Sequence, residues 1–261
     1  MLSFFLRPYE VNRSSLMRVG PKHDGGYVIH KKTLKYTNHI LTLGLNDDWS
    51  FEENFLKYKK NIKVTAYDHT INFKFWFLRF LKDLIHFLLL KKLRLKKIKD
   101  IFKYFSYLIF FSKHKHIKKK IGKFNQDLNL DKIFHNDFKD YSVLLKIDIE
   151  GSEYEIINKV KKFAHKLNTL IVEFHDVQNK NNLKKIKSFI NSNKNIKLIH
   201  LHGNNFAKKD RKGNPTCIEA TFVNDRVIKV KKSLTKFSYP LKGLDYPNHK
   251  RRKDISLHFE R

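Results

Sequence analysis

Apolar runs alternate with amphipathic helical patterns along most of this chain. Runs typical of buried strands lie at 40–45, 61–70, 141–148, 167–176, 195–205 and 215–225. Segments with a helical period follow several of these runs. Because strands alternate with helices, we predict an α/β fold with a doubly wound, mostly parallel sheet and right-handed crossovers.

Four of the predicted strands end in polar or acidic residues, at 46–48, Asp68, 148–150 and 173–176. An open α/β sheet binds its ligands in the crevice at the carboxyl ends of the strands. Four acidic strand ends are hard to explain by solubility alone. The pattern therefore predicts an enzyme or a ligand-binding protein.

Residues 71–123 interrupt this alternation with a segment rich in aromatic residues, Leu, Ile and Lys. On a helix, Arg79, Lys82, Asp83 and His86 share one arc and leave a wide apolar face. Charges recur too often for a membrane span. We expect a helical insertion that packs on the sheet and covers the active site. The alternative is a basic amphipathic surface that contacts a membrane or an acceptor.

No internal repeat or low-complexity linker divides the chain. We therefore predict one domain over residues 1–261, with the insertion at 71–123 and a short C-terminal extension at 224–261. Cys217 is the one cysteine, which excludes an intramolecular disulfide and fits a reducing compartment. The first residues do not resemble a signal peptide. These features predict a cytoplasmic protein, with peripheral membrane contact as an alternative.

The formal net charge of +30 raises the question of nucleic-acid or anionic-membrane binding. However, 45 of the 55 basic residues are Lys and 10 are Arg. Nucleic-acid recognition favours Arg, whose guanidinium binds phosphates and bases in a bidentate manner. A bias toward Lys is typical of compositional drift, so we do not expect nucleic acid as a partner.

Gly44 and Asp68 suggest a nucleotide cofactor. Gly44 ends the first long strand, where a backbone without a side chain can approach a ligand closely. Asp68 ends the next strand about twenty residues later, the place from which an acid typically binds ribose hydroxyls. The chain lacks a GxGxxG motif, so a dinucleotide fold is not supported.

Five stretches resemble the FkbM-type, S-adenosylmethionine-dependent methyltransferases. They are RVGPKHDGGYVI (18–29), ILTLGLNDDWSFEENF (40–55), VTAYDHT (64–70), LLKIDIEGSEYEII (144–157) and LIVEFHD (170–176). The most specific are the DGGY and KIDIEGSE blocks. The resemblance spans about 18–223, covers the sheet but not the insertion, and implies a Rossmann-like class I methyltransferase fold.

The resemblance implies transfer of a methyl group from S-adenosylmethionine to an oxygen, often a sugar hydroxyl of a glycan, glycolipid or natural product. A carbohydrate or glycolipid is therefore the expected acceptor. Gly44 and Asn46 would lie against the methionine part of the cofactor, and Asp68 at its ribose. The resemblance also places three neighbouring residues near the cofactor pocket: Asp24, Gly25 and Gly26.

Asp148 and His175 follow two apolar strands and are candidates for catalysis. If these strands are neighbours, about 4.8 Å apart, both side chains can face one acceptor oxygen. His175 suits proton removal because the unperturbed pKa of histidine is near neutrality. We predict Asp148, His175 and Glu173 as the catalytic residues. Two structural alternatives stay open: His175 bound to a loop, and Asp148 as a helix cap.

Asp148, Glu173 and Asp176 could instead hold a divalent cation through oxygen ligands. The sequence leaves this metal undecided. His200 and His202 share one face of a later strand, where they could bind the acceptor or be ordinary polar-face residues.

Two rival functions also stay open. The charge suggests a nucleic-acid methyltransferase. The insertion suggests an inactive membrane-surface protein of the same fold.

Overall fold

The computed structural model describes residues 1–89, 102–122, 129–134 and 138–260. A two-stranded hairpin precedes a seven-stranded sheet with the order β5-β4-β3-β6-β7-β9-β8. The hairpin strands are β1 (Leu16–Val19) and β2 (Tyr27–His30). The sheet strands are β3 (His39–Leu43), β4 (Lys63–Tyr67), β5 (Lys115–Ile117), β6 (Val143–Ile147), β7 (Leu167–Phe174), β8 (Ile196–Gly203) and β9 (Ile218–Asn224).

Strands β3 to β7 pair in parallel, whereas β9 runs antiparallel to both β7 and β8. The predicted α/β class with a mostly parallel sheet is therefore confirmed. Every residue of β6 and β7 is buried. Strands covered on both faces read as continuous apolar runs, which is why these two were recognisable in the sequence.

Seven α-helices accompany the strands in the described part of the chain. They are α1 (Lys32–Tyr36), α2 (Ser50–Tyr58), α3 (Phe73–Leu89), α4 (Lys103–Lys113), α5 (Leu130–Ile133), α6 (Glu153–Ile156) and α7 (Lys180–Ser192). Short 3-10 helices lie at Phe4–Leu6, Arg13–Ser15 and Ile157–Phe163. Helix α7 shows how packing forms these elements, because it buries Ile186 and Phe189, three residues apart, and exposes its lysines.

The segment 71–123 differs from a purely helical insertion. It contains α3 and α4, but Lys115–Ile117 forms β5 and pairs in parallel with β4 at the sheet edge. The sequence pattern missed this strand because it has three residues and follows a long helical run. Residues 90–101 and 123, also within the predicted insertion, lie outside the described residues.

The C-terminal extension packs into the main hydrophobic core. Ile228, Tyr239, Leu241, Ile255 and Leu257 are all buried there. The two ends of the chain also meet, since Leu2 and Phe259 form a parallel bridge. Among the described residues, no helix combines the length and the apolar character that crossing a bilayer requires.

Candidate active site

Gly44 lies where the loop after β3 meets the end of β6. Its φ is +81°, and a Cβ atom there would lie 1.6 Å from the carbonyl oxygen of Asp148. No side chain fits at this distance, and L-residues avoid this φ. From the sequence, glycine at this position is expected to allow close approach of a ligand. The structure adds a second reason for glycine, because the backbone of the neighbouring strand end already occupies the space.

Asp68 holds the loop after Gly44 in place. One carboxylate oxygen accepts hydrogen bonds from the backbone N–H of Leu45 at 2.9 Å and of Asn46 at 2.8 Å. The other accepts from the backbone N–H of Thr70 at 2.7 Å and its hydroxyl at 2.6 Å. Burial by itself raises the pKa of Asp68, but these bonds outweigh it and lower the pKa.

Four donors already fill the acceptor sites that a carboxylate offers. Asp68 would therefore bind ribose hydroxyls only by giving up one of its present donors, and the Thr70 hydroxyl is the donor that can rotate away. The sequence predicts that Asp68 binds the ribose. The structure adds that Asp68 also shapes the loop that carries Gly44 and Asn46.

A cavity of about 320 Å³ opens at the carboxyl ends of β3, β4, β5 and β6. Its size is within the range of small-molecule sites. Of the nine predicted site residues, four line it, namely Gly44, Asn46, Asp68 and Asp148. The others on its wall are Tyr67, His69, Thr70, Lys119, Lys120, Ile121, Ile149, Glu150 and Ser152.

Asp24, Gly25 and Gly26 occupy the turn of the β1–β2 hairpin and are not among the residues that line this cavity. A Cβ at Gly25 would lie 2.6 Å from a carboxylate oxygen of Asp48, so the turn packs against the loop after β3. Burial raises the pKa of Asp24, against a hydrogen bond from Asn248. The turn therefore packs against the loop after β3, the loop that supplies Asn46 to the cavity wall.

Asp148 follows β6 and is only partly exposed. Burial raises its pKa to about 6, while the positive charges of Lys146 and His175 oppose that rise. Lys146 is a buried cation on β6, 3.7 Å from Glu52 and over the ring of Tyr27 at 5.5 Å. At neutral pH the Asp148 carboxylate is mostly ionised and its proton affinity is higher than usual.

His175 follows β7, which pairs with β6, so the predicted adjacency of the two strands is present. Its Nδ1 lies 3.3 Å from Oε1 of Glu153, and its Nε2 lies 3.4 Å from Glu150 and 3.8 Å from Glu173. Burial alone lowers the pKa of His175. The hydrogen bond with Glu153 and the nearby carboxylates outweigh burial and raise the pKa to about 9.

This charge state changes the expectation for His175. A general base must be unprotonated before it acts, and a histidine with a pKa of about 9 carries its proton at neutral pH. The sequence alone suggested an ordinary pKa for His175, because two of the carboxylates around the ring, Glu150 and Glu153, come from a distant segment. His175 is therefore better suited to act as a cation than as a base.

Glu173 is buried on β7, directly opposite Glu219 of β9. Burial, with the charges of Asp148 and Glu219, holds the pKa of Glu173 well above its usual range. Its Oε1 accepts hydrogen bonds from the Asn204 amide at 2.7 Å and from the Cys217 thiol at 3.0 Å. Glu173 thus holds its proton more tightly than an exposed glutamate does, and the buried Cys217 thiol donates a hydrogen bond to it.

Sequence reasoning missed four residues that shape this site: Tyr27, Lys146, Glu153 and Glu219. Lys146 could have been recognised from the sequence, because a lysine inside an otherwise apolar strand is seldom buried without a charged partner. Glu153 begins α6 and is fully buried, and its carboxylate accepts hydrogen bonds from the backbone N–H groups of His175 and Gly151, both at 2.8 Å.

Two groups of side chains within the described residues could hold a metal ion. One consists of Asp148, Glu150 and His175, and the other of Glu173, His175 and Cys217, with ligand atoms within 4.8 Å of one another. Asp176, the third ligand expected from the sequence, belongs to neither group. Its carboxylate accepts from the side-chain amide of Gln178 at 3.3 Å.

His200 and His202 are buried and serve the packing of the C-terminal extension. Nε2 of His200 lies 3.0 Å from Asp245, and His202 lies 3.0 Å from both Glu219 and Asp254. The sequence left open whether these histidines bind the acceptor or belong to a polar face. Their ring nitrogens are engaged by carboxylates, so the acceptor role has no support here.

The sequence profile of the Methyltransferase FkbM domain matches residues 26–196, about two thirds of the chain. The chain belongs to the FkbM methyltransferase family. The match runs from the hairpin turn to the start of β8 and includes Gly44, Asp68, Asp148 and His175. Family membership makes the chain a methyltransferase and S-adenosylmethionine its methyl donor. A comparison with curated proteins found no match.

Several solved structures are similar to this chain. Methyltransferase FkbM from Methylobacillus flagellatus KT is 15% identical, with a TM-score of 0.38, over 70% of this chain and 43% of that one. The Methanococcus jannaschii fibrillarin pre-rRNA processing protein is 12% identical, with a TM-score of 0.41, over 74% and 68%. Precorrin-6y C5,15-methyltransferase from Geobacter metallireducens GS-15 is 11% identical, with a TM-score of 0.36, over 74% and 85%. This chain thus spans less than half the length of the Methylobacillus protein.

The residues around the cavity fit the chemistry of S-adenosylmethionine. The sulfonium group is a cation, and the cavity wall carries the carboxylates of Asp148 and Glu150. Apolar surface for a purine ring comes from Tyr67 and Ile121. Gly44 leaves the cavity free of a side chain at the end of β3, so these residues are the ones we expect to hold the cofactor.

Proposed function

We propose that the chain transfers a methyl group from S-adenosylmethionine to a hydroxyl oxygen, and that this hydroxyl belongs to a sugar. The observation that supports the proposal most is the position of Asp148 and His175 after two adjacent parallel strands, with Asp148 on the cavity wall. An acceptor hydroxyl at this edge would meet a carboxylate that can take its proton. S-adenosylmethionine supplies an electrophilic methyl group when it is bound.

Asp148 has the properties of the proton acceptor. The Asp148 carboxylate would take the hydroxyl proton while the acceptor oxygen gains the methyl group and the sulfur leaves as a neutral thioether. The raised pKa of about 6 strengthens Asp148 as a base while leaving it mostly ionised at neutral pH. Most of the remaining barrier is a matter of positioning the two reacting atoms.

His175 and Glu173 would orient the acceptor. His175, held by Glu153, offers a charged N–H that can donate to an acceptor oxygen. The Glu173 carboxyl has a raised pKa and lies 3.8 Å from Nε2 of His175. A sugar presents several neighbouring hydroxyls, each of which donates and accepts, so it matches a site with carboxyl, carboxylate and imidazolium groups. This match supports a carbohydrate or glycolipid acceptor.

Nucleic acid fits the same site poorly. Five carboxyl groups, from Asp148, Glu150, Glu153, Glu173 and Glu219, lie in contact with or close to His175 or Glu173. Ionised carboxylates repel the phosphates that dominate nucleic-acid affinity. The net charge of +30 is the feature that favours this second candidate. Salt-sensitive retention of RNA, with methyl transfer to it, would support the second candidate.

The proposal is tested first by calorimetry with S-adenosylhomocysteine, because the inactive alternative predicts no heat. Next, the purified chain is incubated with radiolabelled S-adenosylmethionine and a panel of glycolipids, free oligosaccharides and RNA. The expected result is label on a carbohydrate, stable to base as an ether is. Label on RNA only, or on an ester or amine, would refute the sugar-hydroxyl proposal.

The buried Cys217 thiol supports a reducing, cytoplasmic location.

A further inference from the structure

Helices α3 and α4 expose an apolar surface that the rest of the described fold does not cover. Twelve of the 16 exposed large apolar side chains in the described residues belong to α3, α4 or Phe102 just before α4. We call the surface formed by Phe73, Phe77, Leu81, Leu88, Phe105 and Ile109 the outer face. Single exposed apolar residues are common, but a contiguous set marks an interaction site.

Helix α3 turns Asp83, Arg79 and Trp76 toward the protein. Asp83 is buried, and Arg79 forms ion pairs with Asp83 and with Asp47 in the loop after β3. Elsewhere on the same helix, Phe73 is 72% exposed and Leu88 is 61% exposed. A helix that packs on a core in water normally shows the reverse arrangement. The outer face therefore requires an apolar partner.

The inner sides of the two helices already have their own packing. Trp76 of α3 and Tyr107 of α4 are both buried, with ring centroids 5.1 Å apart, and Trp49 contacts Tyr107 at 6.0 Å. These aromatic contacts fix how the helices lie on the loop after β3. Because they engage the inner residues, a simple rotation of α3 would not hide the outer face.

The charged residues of α3 and α4 indicate which kind of apolar partner fits the outer face. Lys74, Lys82 and Lys113 are exposed on these helices, and Asp83, the one acidic residue within the described lengths of α3 and α4, is buried. The exposed surface is thus apolar and purely basic. The whole chain carries +30, so a second copy placed on this face would bring like charges together. An anionic lipid surface satisfies both features at once.

We propose that the outer face of α3 and α4 binds the surface of an anionic membrane. Its apolar side chains enter the boundary between headgroups and acyl chains, while the lysines stay among the headgroups. The outer face is close to the cavity along the chain. Thr70, Lys119 and Lys120 lie on the cavity wall; α3 begins three residues after Thr70, and β5 connects α4 to the two lysines. This inference is independent of the identity of the acceptor.

The test is flotation of the full chain with vesicles of phosphatidylcholine alone or mixed with phosphatidylserine. The wild type is expected to float with the anionic vesicles at low salt and to remain below with neutral ones. The triple substitution Phe77→Ser, Leu88→Ser, Ile109→Ser should reduce the floating fraction about ten-fold or more. Tyr58→Ser with Phe206→Ser, two equally exposed apolar residues outside the face, is the control and should float normally.

A second pair of variants tests the charge. Lys74→Glu with Lys82→Glu should reduce binding strongly, because each basic residue near an anionic surface adds to the attraction. The matched reversal Lys180→Glu with Lys184→Glu, on exposed positions of α7, should have little effect. Unchanged melting temperatures and unchanged heats with S-adenosylhomocysteine would show that the variants are folded.

Three results would overturn the proposal. The first is a wild type that does not float with anionic vesicles at low salt. The second is a triple variant that floats as well as the wild type. The third is self-association of the wild type, measured by sedimentation, that the triple substitution abolishes while neither protein floats. In that case a second copy covers the outer face.

Discussion

The α-carbon of Gly44 packs against the carbonyl group of Asp148, so closely that a methyl group on Gly44 would lie 1.6 Å from the carbonyl oxygen. Gly44 follows the last residue of β3 and Asp148 follows β6, and these strands are neighbours. The contact joins the loop expected to hold the cofactor to the residue proposed to accept the proton. A side chain at position 44 must therefore displace either this loop or Asp148.

Gly44→Ala should destabilise the protein and displace Asp148. We expect a loss of about 3 kcal/mol or more, from an unfavourable φ and a steric clash. Gly213→Ala is the matched control, because Gly213 has the same φ of +81° but a Cβ added there would meet none of the described atoms within 4 Å. It should cost about 1 kcal/mol. Urea unfolding measures both, and equal losses would refute the packing argument.

Asp68→Ala should weaken binding of S-adenosylhomocysteine by about 1–3 kcal/mol, because it leaves the N–H groups of Leu45 and Asn46 without their acceptor. Thr70→Val removes a single hydroxyl donor to Asp68 and should change the binding free energy by less than about 1 kcal/mol. Calorimetry gives both values. Wild-type affinity in Asp68→Ala would exclude a role for this carboxylate at the cofactor site.

Asp148→Asn should reduce turnover about 10²- to 10⁴-fold without a comparable loss of melting temperature, as expected for a lost general base. In the wild type, turnover should fall as the pH drops below about 6, because protonated Asp148 cannot accept a proton. It should also fall above about 9, where His175 loses its charge. Turnover that stays constant from about pH 5 to about pH 10 would contradict both roles.

His175→Gln should keep the fold, because glutamine retains an N–H donor. It should lower turnover, because glutamine lacks the positive charge. Turnover is measured with EDTA and again with added Mg²⁺. EDTA-resistant turnover supports proton transfer by Asp148 alone. EDTA-sensitive turnover, restored by a divalent cation, would give Asp148, Glu150 and His175 a metal-binding role instead. Wild-type turnover in both Asp148→Asn and His175→Gln would exclude the proposed site.

His202 should make stability depend on pH. Burial alone lowers its pKa, but Asp254 and Glu219 outweigh burial and raise the pKa to about 10, above the 6.5 of an unfolded histidine. The stabilisation is therefore complete below about pH 6.5 and is lost as the pH rises through about 10. His202→Gln should flatten this decline in the free energy of unfolding, whereas His258→Gln, at an exposed position, should not.

The sequence by itself was sufficient for six of the seven strands of the main sheet, all but β5, and for the edge of the sheet at which the site lies. Burial on both faces gives β6 and β7 an apolar pattern that can be read locally, and the polar residues after each strand are visible in the chain. Parallel strands end at one edge, so Asp68, Asp148 and His175 could be assigned to that edge before their neighbours were known.

Tertiary structure alone decided what those residues do there. The charge of His175 depends on Glu153, which comes from the segment after another strand, and the acceptor sites of Asp68 are filled by the loop after β3. The same holds for α3, whose helical pattern does not by itself say which face turns inward. Its orientation follows from Asp47, which pairs with Arg79 and lies far from it in the sequence. Hydrogen bonds and ion pairs between distant segments leave no local periodicity, and for that reason only the folded chain defines them.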